Sequence, residues 1–167
     1  MNKVAELKEV IRFSKYQQKK GKKIGFVVGS FDIVHLGHLN LFRLAKRHVD
    51  FLIVGLDNDK TIKLVKGRSR PINNFKRRSN FLSDLVTVNK IFLIKNTSHH
   101  DSEEALDNYR NLVEKIKPTH IFTHLVCDKH WKQKRKIAKD YGIVFLADKS
   151  KKITTSGTIL KLLTSEL

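Results

Sequence analysis

Short apolar runs alternate along the chain with longer stretches in which apolar residues return every three to four positions. The run 24–29 (Ile-Gly-Phe-Val-Val-Gly) is too short for a helix and reads as a buried strand. Beyond it, Leu39, Leu41, Phe42, Leu44 and Ala45 recur at helical spacing. A second strand is expected at 51–56, ending in the polar cluster Asp57-Asn58-Asp59, and a third at 90–94 after a helix over about 75–86. The rhythm continues with a helix over about 102–116, a strand at 120–126, a helix at 129–141 and a strand at 143–147. A closing helix begins near Ser156. Ahead of the first strand, residues 3–20 carry Val4, Leu7, Val10 and Ile11 on one side and end at Gly21, the pattern of an amphipathic helix.

Strands alternating with helices predict an α/β fold: a doubly wound, five-stranded parallel sheet of Rossmann-like type, covered on both faces. Ligands of such sheets bind beyond the carboxyl ends of the strands. Segments 29–38, 57–59, 126–129 and 154–158 all follow strands, so they are expected to meet at one edge. The length of 167 residues, 40% of them hydrophobic, suits one domain over 1–167.

Composition narrows the function classes. No apolar run is long enough to span a bilayer, and the first residues lack the apolar core of a signal peptide, so a cytoplasmic location is expected. A single cysteine, Cys127, excludes an internal disulfide framework and reads as a small buried residue. The formal net charge of +18, from 34 Lys and Arg against 16 Asp and Glu, attracts polyanions. Because the cations are spread along the chain, nonspecific, salt-sensitive nucleic-acid binding is the expectation rather than a dedicated RNA site. Oligomeric state, a homodimer included, stays open.

The most informative segment is Gly29-Ser30-Phe31-Asp32-Ile33-Val34-His35-Leu36-Gly37-His38, where a strand gives way to a helix. Unpaired N–H groups at a helix start favour anions, Gly37 leaves room for a phosphate, and His35 and His38 can donate to the same phosphate. Asp32 reads as a turn residue or as an orienter of its neighbours, and Phe31 chiefly as packing. Lys66-Gly67-Arg68-Ser69-Arg70-Pro71-Ile72 reads as a cationic loop in which Lys66 and Arg70 could clamp phosphates, or as a solvated basic turn. Thr154-Thr155-Ser156-Gly157-Thr158 supplies hydroxyls that cap the closing helix and can also meet a phosphate.

These motifs, in this order, resemble the cytidylyltransferase-like nucleotidyltransferases, with their G-[ST]-F-D...H-x-G-H hallmark. They are most similar to the adenylyltransferase domain of heptose synthases, which activates heptose 1-phosphate. GSFDIVHLGH, LVKGRSRPINNFKRRSNFLSDL and TTSGTILKLL carry the likeness, and it covers nearly the whole chain. The resemblance implies catalytic roles for His35, His38 and Lys66, and nucleotide contacts for Ser30, Phe31, Gly37, Arg70, Asp128, Thr155 and Ser156. Arg78 would place the basic loop rather than touch substrate. ATP is the implied co-substrate, with Mg2+ carried by its phosphates and water rather than by a protein cage.

The chain departs from that pattern at two places. Leu125-Val126-Cys127-Asp128 stands where heptose enzymes show K-G-G-D, and Gly157 replaces a threonine. Alternatives are therefore a cytidylyltransferase acting on an alcohol phosphate, an FAD synthase-like adenylyltransferase, or a non-enzymatic nucleotide sensor or RNA-binding module. The H-L-G-H segment is also similar to class I aminoacyl-tRNA synthetases, but their lysine-serine signature and room for tRNA domains are missing.

Overall fold

Alternation along the central strand β1 (Ile24–Gly29) divides the molecule into two apolar layers: Ile24 and Phe26 point to one face, Val27 to the other. The computed structural model describes residues 2–150. In chain order the remaining elements are α1 (Leu7–Lys19), preceding β1, then α2 (Leu36–His48), β2 (Phe51–Asp57), α3 (Asp59–Lys66) and α4 (Phe75–Asp84). They continue with β3 (Lys90–Ile94), α5 (Glu103–Ile116), β4 (His120–His124), α6 (Trp131–Asp140) and β5 (Val144–Asp148). All strand pairs are parallel and the order is β3-β2-β1-β4-β5. This is the doubly wound sheet that the alternation predicts.

Leu52, Val54 and Leu56 of β2 join Val27, Phe42 of α2 and Leu82 of α4 on one face; Ile53 joins Phe26, Val10 of α1, Val113 of α5 and Ile137 of α6 on the other. Glycine keeps the layers thin where side chains crowd. A Cβ at Gly25 would lie 2.9 Å from Val49 Cγ2 and 3.0 Å from the Phe122 ring. The chain runs from β1 outward to β3 and then returns to β4 on the other side of β1. The topological switch therefore falls between β1 and β4, where a crevice opens at their carboxyl ends.

Three local readings need correction. The first helix begins at Leu7; the residues before it run along the open edge of β3, with Ile91 N–H donating to Lys3 O and Ala5 N–H to Ile91 O. That edge would otherwise leave backbone groups unpaired. Lys66 closes a helix instead of opening a loop: Asn58 caps α3 by accepting from Thr61 N–H, and burial of Thr61 and Ile62 holds it down. Cys127 is exposed, because β4 ends at His124 and the chain has already turned to the surface. No helix among the described residues is long and apolar enough to cross a membrane.

Candidate functional site

The carboxyl end of β1 meets α2 through a turn that sends Phe31 inward. Phe31 adopts a left-handed φ of 44°, and its buried ring packs 5.0 Å from the His38 ring and 5.2 Å from Phe42. The turn therefore uses a side chain as a wedge behind the histidines. His35, in extended conformation, precedes the first residue of α2, and Gly37 is buried in that helix's first turn. The His35 and His38 rings stack at 3.8 Å, 21° apart in plane. His38 Nδ1 accepts from the His35 backbone N–H at 3.4 Å, which assigns the proton of a neutral ring to Nε2. His35 Nδ1 is buried with no hydrogen-bond partner among the described residues.

Both rings are held neutral. Burial lowers the His38 pKa to about 3, helped by His35, Lys66 and His124; burial, then His124 and Lys66, lower that of His35. At neutral pH each ring thus offers an N–H donor without carrying charge.

Lys66 Nζ reaches across from the end of α3 and donates to Ser30 Oγ at 2.7 Å. Lys66 is solvent-exposed, yet the protein gathered around its ammonium lowers its pKa against the attraction of Asp57 and Asp32. Arg70 enters the cleft with one nitrogen already engaged. Its guanidinium donates to Asp32 Oδ2 at 2.9 Å, and the same carboxylate accepts Ile72 N–H at 3.1 Å and Asn73 N–H at 2.8 Å. Asp32 is thus a staple: burial raises its pKa, but these donors outweigh it and hold it below the ordinary value. Arg78 donates to Ser30 O, Asp57 O and Asp59 Oδ1 with a fully buried side chain, so it ties β1, β2 and α3 together behind the site.

From the β4 side, Asp128 enters the crevice already engaged. Lys134 Nζ lies 2.6 Å away, His130 N–H donates at 2.9 Å, and Thr123 Oγ1 donates as well. Burial raises the Asp128 pKa, while Lys134 and the other donors lower it further. Sequence reasoning missed His124, the last residue of β4, whose Nδ1 accepts the N–H groups of Val126 and Cys127. Its position at a carboxyl strand end beside β1 was the available signal. Asp57, at the end of β2, was noticed only as part of a polar edge.

These groups line one cleft of about 860 Å3 that takes in Ser30, Phe31, His35, Gly37, His38, Lys66, Arg70, His124 and Asp128. Segments 29–38, 57–59 and 126–129 thus contribute to one edge. Thr155 and Ser156 lie outside the described residues. Among the described residues, no group of three or more His, Cys, Asp or Glu side chains is placed to hold a metal ion.

Comparisons with known proteins agree with this architecture. Bifunctional protein HldE of Hyphomonas neptunium is 41% identical over 87 residues, 52% of this chain and 18% of that protein. HldE of Campylobacter concisus is 36% identical over 115 residues, 69% of this chain and 21% of the relative. The chain thus spans about a fifth of the length of these curated relatives. Among solved structures, the lipopolysaccharide core biosynthesis protein from Thermoplasma volcanium superposes with a TM-score of 0.56 at 24% identity, covering 79% of this chain and all of that one. Pantoate-beta-alanine ligase from Francisella tularensis reaches 0.66 at 15% identity over 98% of this chain and 78% of its own. At those identities the two structures speak for the fold alone. The model of the cytidylyltransferase-like family matches residues 26–161, from β1 past β5, and with the histidine pair and basic elements inside that span, the chain belongs to this family.

Proposed function

We propose that the protein is an adenylyltransferase: it transfers AMP from ATP to a phosphorylated small molecule, a sugar phosphate such as heptose 1-phosphate, and releases pyrophosphate. The observation that carries this reading is the stacked, neutral His35–His38 pair at the start of α2, with Lys66 in the same cleft. An acceptor phosphate oxygen attacks the α-phosphorus, a new phosphoanhydride forms, and the bond to the β-phosphate breaks. Its electron pair leaves with pyrophosphate, and no covalent enzyme intermediate is required.

Such a transfer asks the protein for alignment and charge stabilisation more than for proton transfer. His38 Nε2–H and His35 supply donors toward the phosphates, the N–H groups opening α2 add theirs, and the Lys66 ammonium faces the charge that develops on the leaving group. Asp32 and Arg78 act at one remove, by fixing the loop and strands that present these groups. The donor set suits a metal delivered with the nucleotide, since Asp32 and Asp128 of the cleft are committed to Arg70 and Lys134, and among the described residues no cluster of ligands stands ready for one. Magnesium on the triphosphate oxygens would lower the charge that the site must neutralise.

The HldE relatives and the family likeness favour ATP and a sugar phosphate. A cytoplasmic setting, where ATP is supplied, accompanies that reading. Pyrophosphate release is to be measured with ATP and CTP against heptose 1-phosphate, glycerol 3-phosphate and flavin mononucleotide. The expected result is turnover with ATP and the sugar phosphate, reduced about 100- to 1,000-fold in His35→Ala and His38→Ala. Turnover with CTP alone would overturn the adenylyl assignment, and unaltered rates in both variants would overturn the site. ATP binding without pyrophosphate release across the panel would favour a nucleotide sensor.

A further inference from the structure

One arm of the cleft is not explained by triphosphate binding. It lies between the end of β2 and the segment 95–102 that follows β3, and it holds Asp57, Asn96, Ser98 and His100. Among the described residues, Asp57 Oδ2 is buried there without a hydrogen-bond partner, and the group it pairs with by charge is His100 Nε2 at 3.4 Å. Buried polar atoms are nearly always paired, so an unpaired carboxylate oxygen in a residue of the cleft wall, covered by a single imidazole, calls for a further donor. The donor cannot belong to the triphosphate, whose oxygens only accept and would be repelled by a carboxylate.

The arm is held open by its own scaffold. Asn58, adjacent to Asp57, gathers the carbonyls of Ile94, Lys95 and Asn96 through its Nδ2 while its Oδ1 caps α3. At the other end of the segment, Asp101 Oδ1 lies 3.1 Å from His130 Nε2, next to α6. His100 is thus carried on a strap fixed at both ends and set beside Asp57. Asp57 is fixed in turn, because Arg78 draws its carbonyl back into the sheet.

We propose that Asp57 and His100 form a hydroxyl-reading subsite for the acceptor, which is therefore a phosphate ester bearing an alcoholic hydroxyl. A hydroxyl that turns the partly exposed His100 ring aside from Oδ2 donates to the Asp57 carboxylate and accepts from His100 Nε2–H, satisfying the orphaned oxygen. The acceptor's phosphate then extends toward Lys66, which is drawn to Asp57 by charge and bonded to Ser30 at the phosphate end. This rests on the transferase reading for the direction of the acceptor, but the subsite makes its own demand. A site built to hydrogen-bond a hydroxyl strongly rejects an analogue lacking one.

The test measures binding and turnover separately. Heptose 1-phosphate, mannose 1-phosphate, glycerol 3-phosphate and the hydroxyl-free phosphocholine are titrated calorimetrically into the wild-type protein, Asp57→Ala, Asp57→Asn and His100→Gln. ATP is titrated in parallel, and thermal melting verifies that each variant is folded. At least one hydroxylated phosphate is expected to bind while phosphocholine does not. Asp57→Ala should weaken that binding about 10- to 100-fold, Asp57→Asn and His100→Gln less, with ATP affinity unchanged. Where turnover is observed, the acceptor KM rises in step and the KM for ATP does not. Equal binding of phosphocholine, no binding by any hydroxylated phosphate, or equal weakening of ATP would overturn the proposal. Asp57-dependent sugar phosphate binding without pyrophosphate release would uphold the subsite and refute the transferase reading.

Discussion

The imidazoles of His35 and His38 stack face to face, with centroids 3.8 Å apart. Two rings this close cannot both carry a proton cheaply, and burial penalises the first proton as well. In the unfolded chain a histidine takes up its proton near pH 6.5. In the fold His38 does so only near pH 3, so between those values the unfolded state binds more protons and stability falls as pH drops. Above about pH 6.5 this contribution is fully present. The expected outcome is a melting temperature that declines from pH 6.5 toward 4, with a shallower decline in His38→Asn. Equal slopes in the two proteins would contradict the buried, neutral assignment.

Asp32 is the counterpart on the loop. Its carboxylate accepts three donors, from Arg70, Ile72 and Asn73, and its carbonyl accepts Asn73 Nδ2 at 2.8 Å. Removing it leaves Arg70 partly buried with no carboxylate and frees two backbone N–H groups. Asp32→Ala is expected to cost about 2–4 kcal/mol in urea denaturation and to expose the segment 67–74 to protease. Asp32→Asn keeps the size but must turn its NH2 toward one of those donors, so it recovers only part of the loss. The depressed pKa also gives a sign: this stabilisation is present above the ordinary carboxyl value near 3.8 and is lost as pH falls below it.

Arg78 has a side chain with no exposure, and it joins Ser30 and Asp57 carbonyls to the Asp59 carboxylate. Lysine cannot reproduce a fork that reaches three acceptors on three elements. Arg78→Lys is expected to destabilise by about 2–4 kcal/mol, because the carbonyls of Ser30 and Asp57 and the partly exposed Asp59 carboxylate lose donors. Arg78 is not itself in the cleft's lining but holds Ser30 and Asp57, which are, so in the folded fraction kcat and the KM values should shift far less than in Lys66→Ala. Parallel denaturation and steady-state kinetics test this, and losses as large as those of Lys66→Ala in fully folded protein would contradict a purely positioning role.

The sheet was legible in the sequence because its signal is local. β1 and β3 are apolar runs bounded by polar or glycine residues, and their ends match expectation. Helix α3 was not legible: of its eight residues only Thr61 and Ile62 are buried, and its lysines resemble a solvated turn. The pairing of residues 3–5 with β3 is tertiary, set by an open strand edge rather than by any local preference. In the cleft, the histidines announced themselves by spacing, and Lys66 by the basic run. Arg70 looked free because charge patterns do not reveal partners, and Asp32 lies 38 residues away. The Asp57–His100 juxtaposition joins the end of β2 to the segment that follows β3 and leaves no mark in either stretch alone.

Gly29 tests whether the wedge behind the histidines matters for chemistry. A Cβ there would lie 3.1 Å from the Phe31 ring, and that ring is already set against Phe42 and His38. A side chain at 29 therefore has nowhere to send the strain except into the ring that backs His38. Gly29→Val is expected to cost about 1–3 kcal/mol by overpacking and, in the protein that remains folded, to lower kcat more than it raises KM for ATP. Gly25→Ala is the control at the other end of the same strand. Its Cβ would press on Val49 and the Phe122 ring, so it should destabilise without a comparable fall in kcat. Pyrophosphate-release kinetics beside melting curves separate the two outcomes. Equal kcat losses in both variants would mean that the strand transmits packing errors along its whole length, and the specific coupling of Phe31 to His38 would be refuted.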